Sequence, residues 1–337
     1  MRVTQLEISR NLLTDLENLN RNFVDVNRQL SSGKKLNFLG DSPIGSTDLV
    51  NITEQAQRLD AYRFNIIASS YQLKSSESAL NAVYNGFVSI HTLGMNAANE
   101  TTSKDGRTAI LNEILILREE LIAKGNTQVN GFSIFAGTAV DVKEPFVLAK
   151  VNAAGEYEDK KGNLILDEHG APILGTIGDI DGRVFYLGND NVNKIPVSDG
   201  VEVFAGVSGN EAMGAVFMAV DNLIEKIRNS IQVDGDLEEI SKALNDFGVN
   251  NFGGALGALS ELNNARGKVG VNLGAVERIS ATIEARNVVL TEQRSKIEDA
   301  NALEVALRIS QLQIAQNAAT ASGAAIIQQK TLFDIIG

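Results

Sequence analysis

Residues 52–87 read ITEQAQRLDAYRFNIIASSYQLKSSESALNAVYNGF, and residues 262–297 read LNNARGKVGVNLGAVERISATIEARNVVLTEQRSKI. Every seventh residue of each stretch is apolar. We call these series the first and the second ladder: Ile52, Leu59, Ile66, Leu73, Leu80, Phe87, and Leu262, Val269, Val276, Ile283, Leu290, Ile297. An unbroken seven-residue period keeps one apolar stripe on the same side of a helix, and that stripe needs a partner helix. The similar lengths of the ladders predict that they pair with each other as a long antiparallel helical rod.

The two ends of the chain predict further apolar helices. The N-terminal seam is spaced 4-3-4-3-4 along one predicted helix, at Leu12, Leu16, Leu19, Phe23, Val26 and Leu30. A loop follows it, because Gly33 is a natural left-handed terminator and Ser42 before Pro43 fits the start of the next helix; Gly33, Asp41 and Pro43 should link the two helices. We predict that the N-terminal seam pairs with these residues of the C-terminal segment: Leu303, Leu307, Ile314, Leu332 and Phe333.

The pattern changes between the two ladders. Three of the four prolines fall between Pro145 and Pro196, and turn pairs such as Asn130-Gly131 separate short β-rich pieces. The expected fold is therefore mainly α with a small β insert. The predicted domains are terminal arms (1–40 and 301–337), a helical rod (41–137 and 208–300) and an outer β domain (138–207).

Composition excludes several classes of protein. There are 42 Asp and Glu residues against 30 Lys and Arg, a net charge of −12, which argues against binding to nucleic acid or to anionic lipid. No apolar run reaches the roughly 18–20 residues that a spanning helix needs. The N-terminus lacks the pattern of a cleavable signal peptide. Cysteine is absent, which excludes disulfides, thiolate metal sites and thiol catalysis.

Candidate chemical sites are weak. The two histidines, His91 and His169, have no companion ligands at metal-binding spacing. The acidic run Asp179–Asp181 lacks the later ligands of a calcium loop. No nucleophile stands beside a base. We therefore predict a structural protein without a catalytic site, a metal or a cofactor.

The predicted arms have too little to pack against. Paired only with each other, they would leave on the order of 1,000 Å² of apolar surface, worth roughly 25 kcal/mol before the costs of binding. Neighbouring copies are the expected cover, joined through unlike surfaces into an open helical array. The alternative is that the ladders form the buried core of a soluble helical monomer.

Several motifs at both ends resemble the bacterial flagellin superfamily. They are Gln29–Asn37 (QLSSGKKLN), Asp41–Gly45 (DSPIG), Ala265–Glu277 (ARGKVGVNLGAVE), Ser295–Asn301 (SKIEDAN) and Gln311–Ala325. The resemblance covers roughly residues 1–145 and 210–337. It implies paired terminal helices innermost, a helical rod around them and a β domain outward. It also implies export through the flagellar type III apparatus to an extracellular flagellum, with a chaperone on the C-terminal helix before secretion.

Within that superfamily, Asn130–Gly137 (NGFSIFAG) and Glu144–Phe146 (EPF) resemble the branch that joins hook to filament. The implied partners are neighbouring copies, hook-associated protein 1 and flagellin. His91-Thr92 stands where flagellins that trigger the innate immune receptor have a basic–acidic pair, so the resemblance does not extend to that recognition.

The hypothesis is thus a flagellar junction protein that assembles through its terminal helices. A rival of the same class is a flagellin that forms the filament itself. A rival of another class is a secreted enzyme or sugar-binding module carried by the β insert. A cytosolic coiled-coil scaffold is the third alternative.

Overall fold

The computed structural model describes residues 2–38, 40, 42–167, 169–175, 181–232, 237–245 and 257–328. The helices are α1 (Arg2–Ser32), α2 (Pro43–Ala97), α3 (Lys104–Gly125), α4 (Ala215–Gln232), α5 (Leu237–Asn245), α6 (Ala258–Glu298) and α7 (Ala302–Gln328); one π-helical turn, Asn210–Gly214, precedes α4. Within this described part, no helix has both the length and the apolar content for a bilayer crossing.

The strands of the described residues are short and antiparallel. They are β1 (Gln128–Val129), β2 (Phe132–Ser133), β3 (Phe146–Val151), β4 (Tyr157–Glu158), β5 (Arg183–Tyr186), β6 (Lys194–Ser198) and β7 (Val201–Phe204). Strand β3 lies between β4 and β5, while β1–β2 and β6–β7 are separate hairpins. The predicted class, mainly α with a small β insert, is confirmed. Pro196 lies inside β6, which is tolerated because β6 is an edge strand of a two-stranded sheet.

The chain divides into two compact units. The terminal unit comprises Met1–Asp60 and Ile283–Gly337, and the central unit comprises Ala61–Thr282. The domain boundaries predicted from the sequence, at residues 40, 137, 207 and 300, stay a prediction.

In the terminal unit, α1 packs along α7 in antiparallel orientation. The pair is fixed where α1 ends, because the Ala300 amide donates to the Gly33 carbonyl (2.9 Å) and the Lys35 amide to the Glu298 carbonyl (2.6 Å). About 20 residues further along each helix, a Cβ placed on Gly323 would lie 3.0 Å from the side chain of Leu12. Gly323 therefore permits the close approach of the two helices.

The covered side of α7 is not the predicted one. Leu303, Leu307 and Ile314, expected opposite α1, are 71%, 58% and 67% exposed. The covered positions repeat at 4-3-4-3-4 spacing, like the α1 seam: Val305, Ile309, Leu312, Gln316, Ala319 and Gly323. Half of these positions hold glutamine, alanine or glycine, and so the seam escaped a search for large apolar residues. Leu303, Leu307 and Ile314 thus lie outside the covered seam, and their place in the assembly interface stays a prediction.

The core of the central unit is formed by facing helices. Ladder residues Leu73, Leu80 and Phe87 of α2 are at most 1% exposed, as are Leu262, Val269 and Val276 of α6. Helix α4 packs against α3 and α5, and it buries a stripe that includes Val216, Val220, Leu223 and Ile227. The helical spacing of these residues, read from the sequence, reflects this burial.

The β6–β7 hairpin lies along α2 in the central unit. Tyr62 donates its hydroxyl hydrogen to Asp199 (2.9 Å), and the Asn65 amide donates to the carbonyl of Pro196 (2.9 Å). The α2 serines on the same face, Ser69 and Ser76, are fully buried, and each donates to a backbone carbonyl one turn back. One side of α2 is thus covered by the hairpin and another by the helical core.

A threefold repeated turn builds the middle of the β insert. Each copy has an Asn or Asp whose side chain accepts from the amides two and four residues later, and a glycine with φ between 80° and 86° three residues later. The three turns begin at Asn152, Asp159 and Asp167. The amides of Tyr157, Ile165 and Ile173 donate in a closed circle: Tyr157 to Ile173, Ile165 to Tyr157, and Ile173 to Ile165.

We predict opposite effects for two glycine-to-alanine changes. Gly162 has φ +86°, and a Cβ there would meet only the Glu158 carboxylate in an ordinary contact (3.4 Å), so Gly162→Ala should lower the free energy of unfolding by roughly 1–2 kcal/mol through backbone strain. Gly267 lies inside α6 with open space around its Cα, so Gly267→Ala should raise it by about 1 kcal/mol. Urea denaturation of both variants measures the difference. Equal shifts of the same sign would contradict this assignment of the turn.

Candidate assembly surface

The outer face of α7, defined by Leu303, Leu307 and Ile314, is an apolar stripe in the terminal unit. Spacings of four and seven residues keep these side chains on one side of the helix, opposite the seam that contacts α1. About two-thirds of each side chain is still exposed, so burying the remainder would be worth roughly 3–6 kcal/mol per copy, at about 1.5–3 kcal/mol for a side chain moved entirely out of water. Helix α7 therefore has two apolar sides. One packs against α1, and the other is exposed to solvent.

Helix α1 also keeps apolar side chains in solvent. Leu13, Val24 and Leu30 are 61%, 52% and 46% exposed. Of the predicted N-terminal seam, Val26 is buried and Leu12, Leu16, Leu19 and Phe23 are partly buried, while Leu30 is exposed. The seam thus faces α7, and a second apolar side of α1 is open.

An ion-pair cluster closes the end of the α1–α7 pair. Glu298 accepts from the Lys34 ammonium and from the Arg294 guanidinium, the latter at 2.7 Å. The Glu298 side chain is only 9% exposed. The hydrogen bond from Lys34, followed by that from Arg294, lowers the pKa of Glu298 despite its partial burial. This carboxylate therefore fixes the point where α6 ends and α1 turns back.

Replacing the Glu298 carboxylate should destabilise the terminal unit at neutral pH and less so at acidic pH. The folded-state pKa lies below the unfolded value, so the stabilisation is present above about pH 4.5 and is lost as pH falls through the folded pKa. Glu298→Gln should reduce the free energy of unfolding by about 1 kcal/mol at pH 7, because both cations are partly exposed. Paired melts of wild type and variant at pH 7 and pH 3 should show a smaller difference at pH 3 than at pH 7. An unchanged difference at both values would rule out the charge as its cause.

The loop predicted between the first two helices is partly described. Gly33 has φ +69°, the left-handed conformation expected of a residue that ends a helix. Ser42 caps α2, since its hydroxyl accepts from the Gly45 amide (3.2 Å), and Pro43 is the first residue of the helix. Asp41, together with Leu332 and Phe333 of the predicted interface, lies outside the described residues.

The ladder residues are buried almost throughout. In the terminal unit Ile52, Leu59, Ile283 and Leu290 are at most 8% exposed, and Ile297 is partly buried. In the central unit Ile66 is 3% exposed, and the later residues of the first ladder are at most 1% exposed. There α6 contacts α2 through Arg266, whose guanidinium lies 4.6 Å from the ring centre of Tyr84 and donates to Asn81. Residue-by-residue pairing of the two ladders stays a prediction.

Sequence analysis missed a buried ion pair in the central unit. The Arg118 guanidinium of α3 lies 2.8 Å from Asp221 of α4, with side-chain exposures of 2% and 7%. Arg118 also donates to the carbonyls of Asp181 (2.7 Å) and Gly182 (3.1 Å), and Asp221 accepts from the Val184 amide (2.8 Å). Burial raises the pKa of Asp221, against the lowering by Arg118. The pair thus holds β5 and the residues before it on two helices.

A cleft in the central unit lies between β5, the π-helical turn and the start of α6. Its carboxylates are largely matched by cations, since Glu211 pairs with Lys268, and Glu225 pairs with Arg183 at 2.9 Å. Burial, and then the charge of Glu211, raises the pKa of Glu261. Among the described residues that line it there is no serine, threonine or histidine, and the hydroxyl of Tyr186 donates to the carbonyls of Phe135 (2.8 Å) and Asn189 (2.9 Å). In the described ranges, no three acidic or histidine side chains are grouped to hold a metal ion.

Known proteins resemble the chain in both sequence and fold. The sequence profile of the bacterial flagellin N-terminal helical region matches residues 3–140. Flagellar hook-associated protein 3 of Escherichia coli (strain K12) is 23% identical over 300 residues, which are 88% of this chain and 87% of that protein. A flagellin of Clostridium tyrobutyricum is 23% identical over 344 residues, covering 87% and 91%.

The fold is shared with a solved flagellar structure. FlgL of Xanthomonas campestris superimposes with a TM-score of 0.53 at 14% identity, over 72% of this chain and 98% of that one. The profile covers the motifs at residues 29–37, 41–45 and 130–137, and the similarity to hook-associated protein 3 extends over 88% of the chain. The chain therefore resembles the bacterial flagellin superfamily, with the flagellin N-terminal helical region matched over residues 3–140, and among named relatives it resembles flagellar hook-associated protein 3.

Proposed function

We propose that this chain is a structural component of the bacterial flagellum that joins hook to filament, and that its terminal helices drive its helical self-assembly. The observation that carries the proposal is the open outer face of α7: Leu303, Leu307 and Ile314 are well over half exposed while the opposite seam of the same helix packs on α1. A paired helix with a second apolar stripe has a surface ready for a neighbouring subunit. The names of the relatives support the flagellar structural role.

The terminal unit has the charge balance expected of an interface that repeats. It carries 14 Asp and Glu against 12 Lys and Arg, whereas the central unit carries 28 against 18. Copies that pack through nearly neutral arms avoid the like-charge repulsion that a net charge of −12 would otherwise cause. We therefore place the copy-to-copy contact on the terminal unit, between unlike faces of successive copies.

The remaining partners are proposed from the same surface. Hook-associated protein 1 would adjoin the first copies, flagellin would adjoin the last, and an export chaperone would cover the outer face of α7 before secretion through the flagellar type III apparatus. Such a chaperone would explain how a chain with an open apolar helix avoids premature assembly. A chaperone footprint confined to the central unit would contradict this part of the proposal.

The second candidate of the same class is a flagellin, because the Clostridium tyrobutyricum relative carries that name and is covered almost completely. The two functions differ in how far assembly proceeds. A junction protein should add a thin layer to isolated hooks and stop, whereas a flagellin should grow long filaments. The enzyme or sugar-binding alternative has no support among the named relatives.

Immunogold labelling of intact cells, combined with addition of the purified chain to isolated hooks, tests the proposal. We expect gold at the hook tip alone, and a thin layer on hooks that afterwards supports filament growth when flagellin is added. Label along the whole filament, with long growth from the purified chain alone, would establish the flagellin function instead. Label in the cytoplasm only, with no addition to hooks, would refute both.

A further inference from the structure

Strand β5 pairs with β3 along one edge, and its other edge is not paired with any strand of the described residues. The Leu187 amide donates to the carbonyl of Pro145, just before β3 (2.8 Å). Because antiparallel pairing alternates, the backbone groups of Val184 and Tyr186 point away from β3. The Val184 amide agrees with this direction, since it donates to Asp221 of α4 (2.8 Å). We call the outward backbone groups of Val184 and Tyr186 the open edge.

The open edge retains three backbone groups that have no partner within the described part of the chain: the Tyr186 amide hydrogen and the carbonyls of Val184 and Tyr186. Such groups are a template for pairing with another strand, and proteins usually cover or charge an edge of this kind. Here Arg183 adds one charge, which is paired with Glu225. The four residues of β5 span about 13 Å at roughly 3.4 Å per residue, enough for a short main-chain ladder.

The cleft beside the open edge has room for an added strand. Its lining includes all of β5 and continues over α4, the π-helical turn and the start of α6. Its volume is about 1640 Å³, whereas pockets for small molecules usually enclose roughly 300–1,000 Å³. The volume and the open edge together favour an extended peptide over a small molecule.

The charged and apolar groups of the cleft indicate which peptide it fits. Four carboxylates line the cleft, against two cations, Arg183 and Lys268. Both cations already pair with carboxylates of the lining, and Arg118 pairs with a third. The fourth carboxylate, Glu261, has no cation among the described residues, so the cleft is complementary to a basic ligand. Met218, which is 73% exposed, adds an apolar wall.

We propose that the open edge of β5 binds an extended segment of another protein in which apolar and basic residues alternate. Main-chain hydrogen bonds to Val184 and Tyr186 supply the affinity, as in other cases of strand addition. Successive side chains of a strand point to opposite sides, so the apolar ones contact Met218 and the basic ones face Glu261. The proposal is independent of the flagellar role, and it uses no residue of the terminal unit.

Binding of a synthetic peptide to the full-length chain tests the proposal. The probe is a fluorescein-labelled peptide of about seven residues that alternates lysine and valine, long enough to span the edge. Fluorescence anisotropy measures its dissociation constant. The variant Met218→Lys, Glu261→Gln makes the cleft more positive by two charges and should weaken binding at least 10-fold.

The matched control makes the same kinds of change on exposed positions of α3, outside the cleft: Ile116→Lys, Glu120→Gln. It alters the net charge of the chain equally and should weaken binding less than 2-fold. Both variants should melt like wild type. Absence of binding to wild type, or equal losses in the two variants, would overturn the proposal.

Two further measurements on wild type locate the peptide. Hydrogen exchange of the Tyr186 amide, followed by NMR, should slow at least 10-fold at saturation, because that amide gains an acceptor. Peptides N-methylated on every valine or on every lysine keep their charge but lose the amide hydrogens along one edge of the strand. One of the two should bind at least 10-fold more weakly than the parent peptide, and the other within 3-fold.

Equal affinities of the three peptides, or an unchanged Tyr186 amide, would mean attraction by charge alone and would refute strand addition. A Tyr186 amide that is protected before any peptide is added, in a chain that binds none, would show that another part of the chain or a second copy occupies the edge, and the proposal would fail. None of these measurements uses hooks, so the outcome for the flagellar role is separate.

Discussion

The double variant Leu307→Glu, Ile314→Glu should fail to assemble on hooks, at concentrations at least 100-fold above those that suffice for wild type. Both side chains lie on the outer face of α7 and are 58% and 67% exposed, so the isolated chain has little to lose. In an assembled array, each glutamate would bring a charge into a contact from which water is excluded. That burial is unfavourable by several kcal/mol per charge unless a cation pairs with it. Assembly by pelleting and folding by circular dichroism measure the two effects separately.

The matched control is Gln313→Glu. Gln313 is exposed on the same helix, but it points about 90° away from the outer face. The control adds a negative charge to the same segment without placing it in the proposed contact, and it should assemble within 3-fold of wild type. If the double variant assembled like this control, the outer face of α7 would not be the assembly surface. If it lost helix content, the result would report folding and not contact, and Leu307→Ser with Ile314→Ser would replace it.

The long-range periodicity was predictable because it follows from helix geometry. A residue at every seventh position returns to nearly the same side of the helix, so burial of Leu73, Leu80 and Val269 can be read without any knowledge of their partners. The end of α1 at Gly33 and the start of α2 at Pro43 were predictable for a similar reason, since left-handed backbone and proline each have a narrow choice of position. The α-helical class rests on these local rules.

What the sequence did not reveal depends on side chains that are not large and apolar. On α7 the close approach to α1 uses Gly323 and Ala319, whose small size lets the helices approach, while the larger Leu307 and Ile314 lie outside that contact. Which of the two apolar stripes of α7 packs against α1 depends on the shape of the α1 surface. A hydropathy pattern carries no information about that shape. The set of assembly residues therefore stays a prediction, while the structure gives the side of α7 on which Leu303, Leu307 and Ile314 lie.

The buried ion pair could not be predicted from the sequence for another reason. Arg118 and Asp221 are 103 residues apart, and nothing around either residue marks it as buried. Polar partners distant in sequence follow no period, unlike the ladders. The threefold turn of the insert was not predicted because its copies share only an Asn or Asp and a glycine. The intervals between copies are also unequal, seven residues and then eight, so no fixed period marks the repeat.

Asp221→Ala should be the most destabilising single change considered, at roughly 3–5 kcal/mol. Removing the carboxylate leaves the Arg118 cation at 2% exposure without its counter-charge, and it leaves the Val184 amide without its acceptor. In a unit of this size the midpoint of thermal unfolding should fall by roughly 10 °C. Hydrogen exchange should rise first in α3, α4 and β5, because the pair joins these three elements.

Glu225→Ala is the control for this variant, because Glu225 lies one turn further along α4 and pairs with Arg183 at 2.9 Å. Both side chains of this pair are about half exposed, so removing the Glu225 carboxylate should lower the free energy of unfolding by at most about 0.5 kcal/mol. The double variant Arg118→Met, Asp221→Leu should recover part of the stability, since it removes both buried charges while the carbonyls of Asp181 and Gly182 still lose their donor. If Asp221→Ala were no worse than Glu225→Ala, Arg118 would have to reach solvent or another carboxylate, and the pair would not be what holds β5 on the helices.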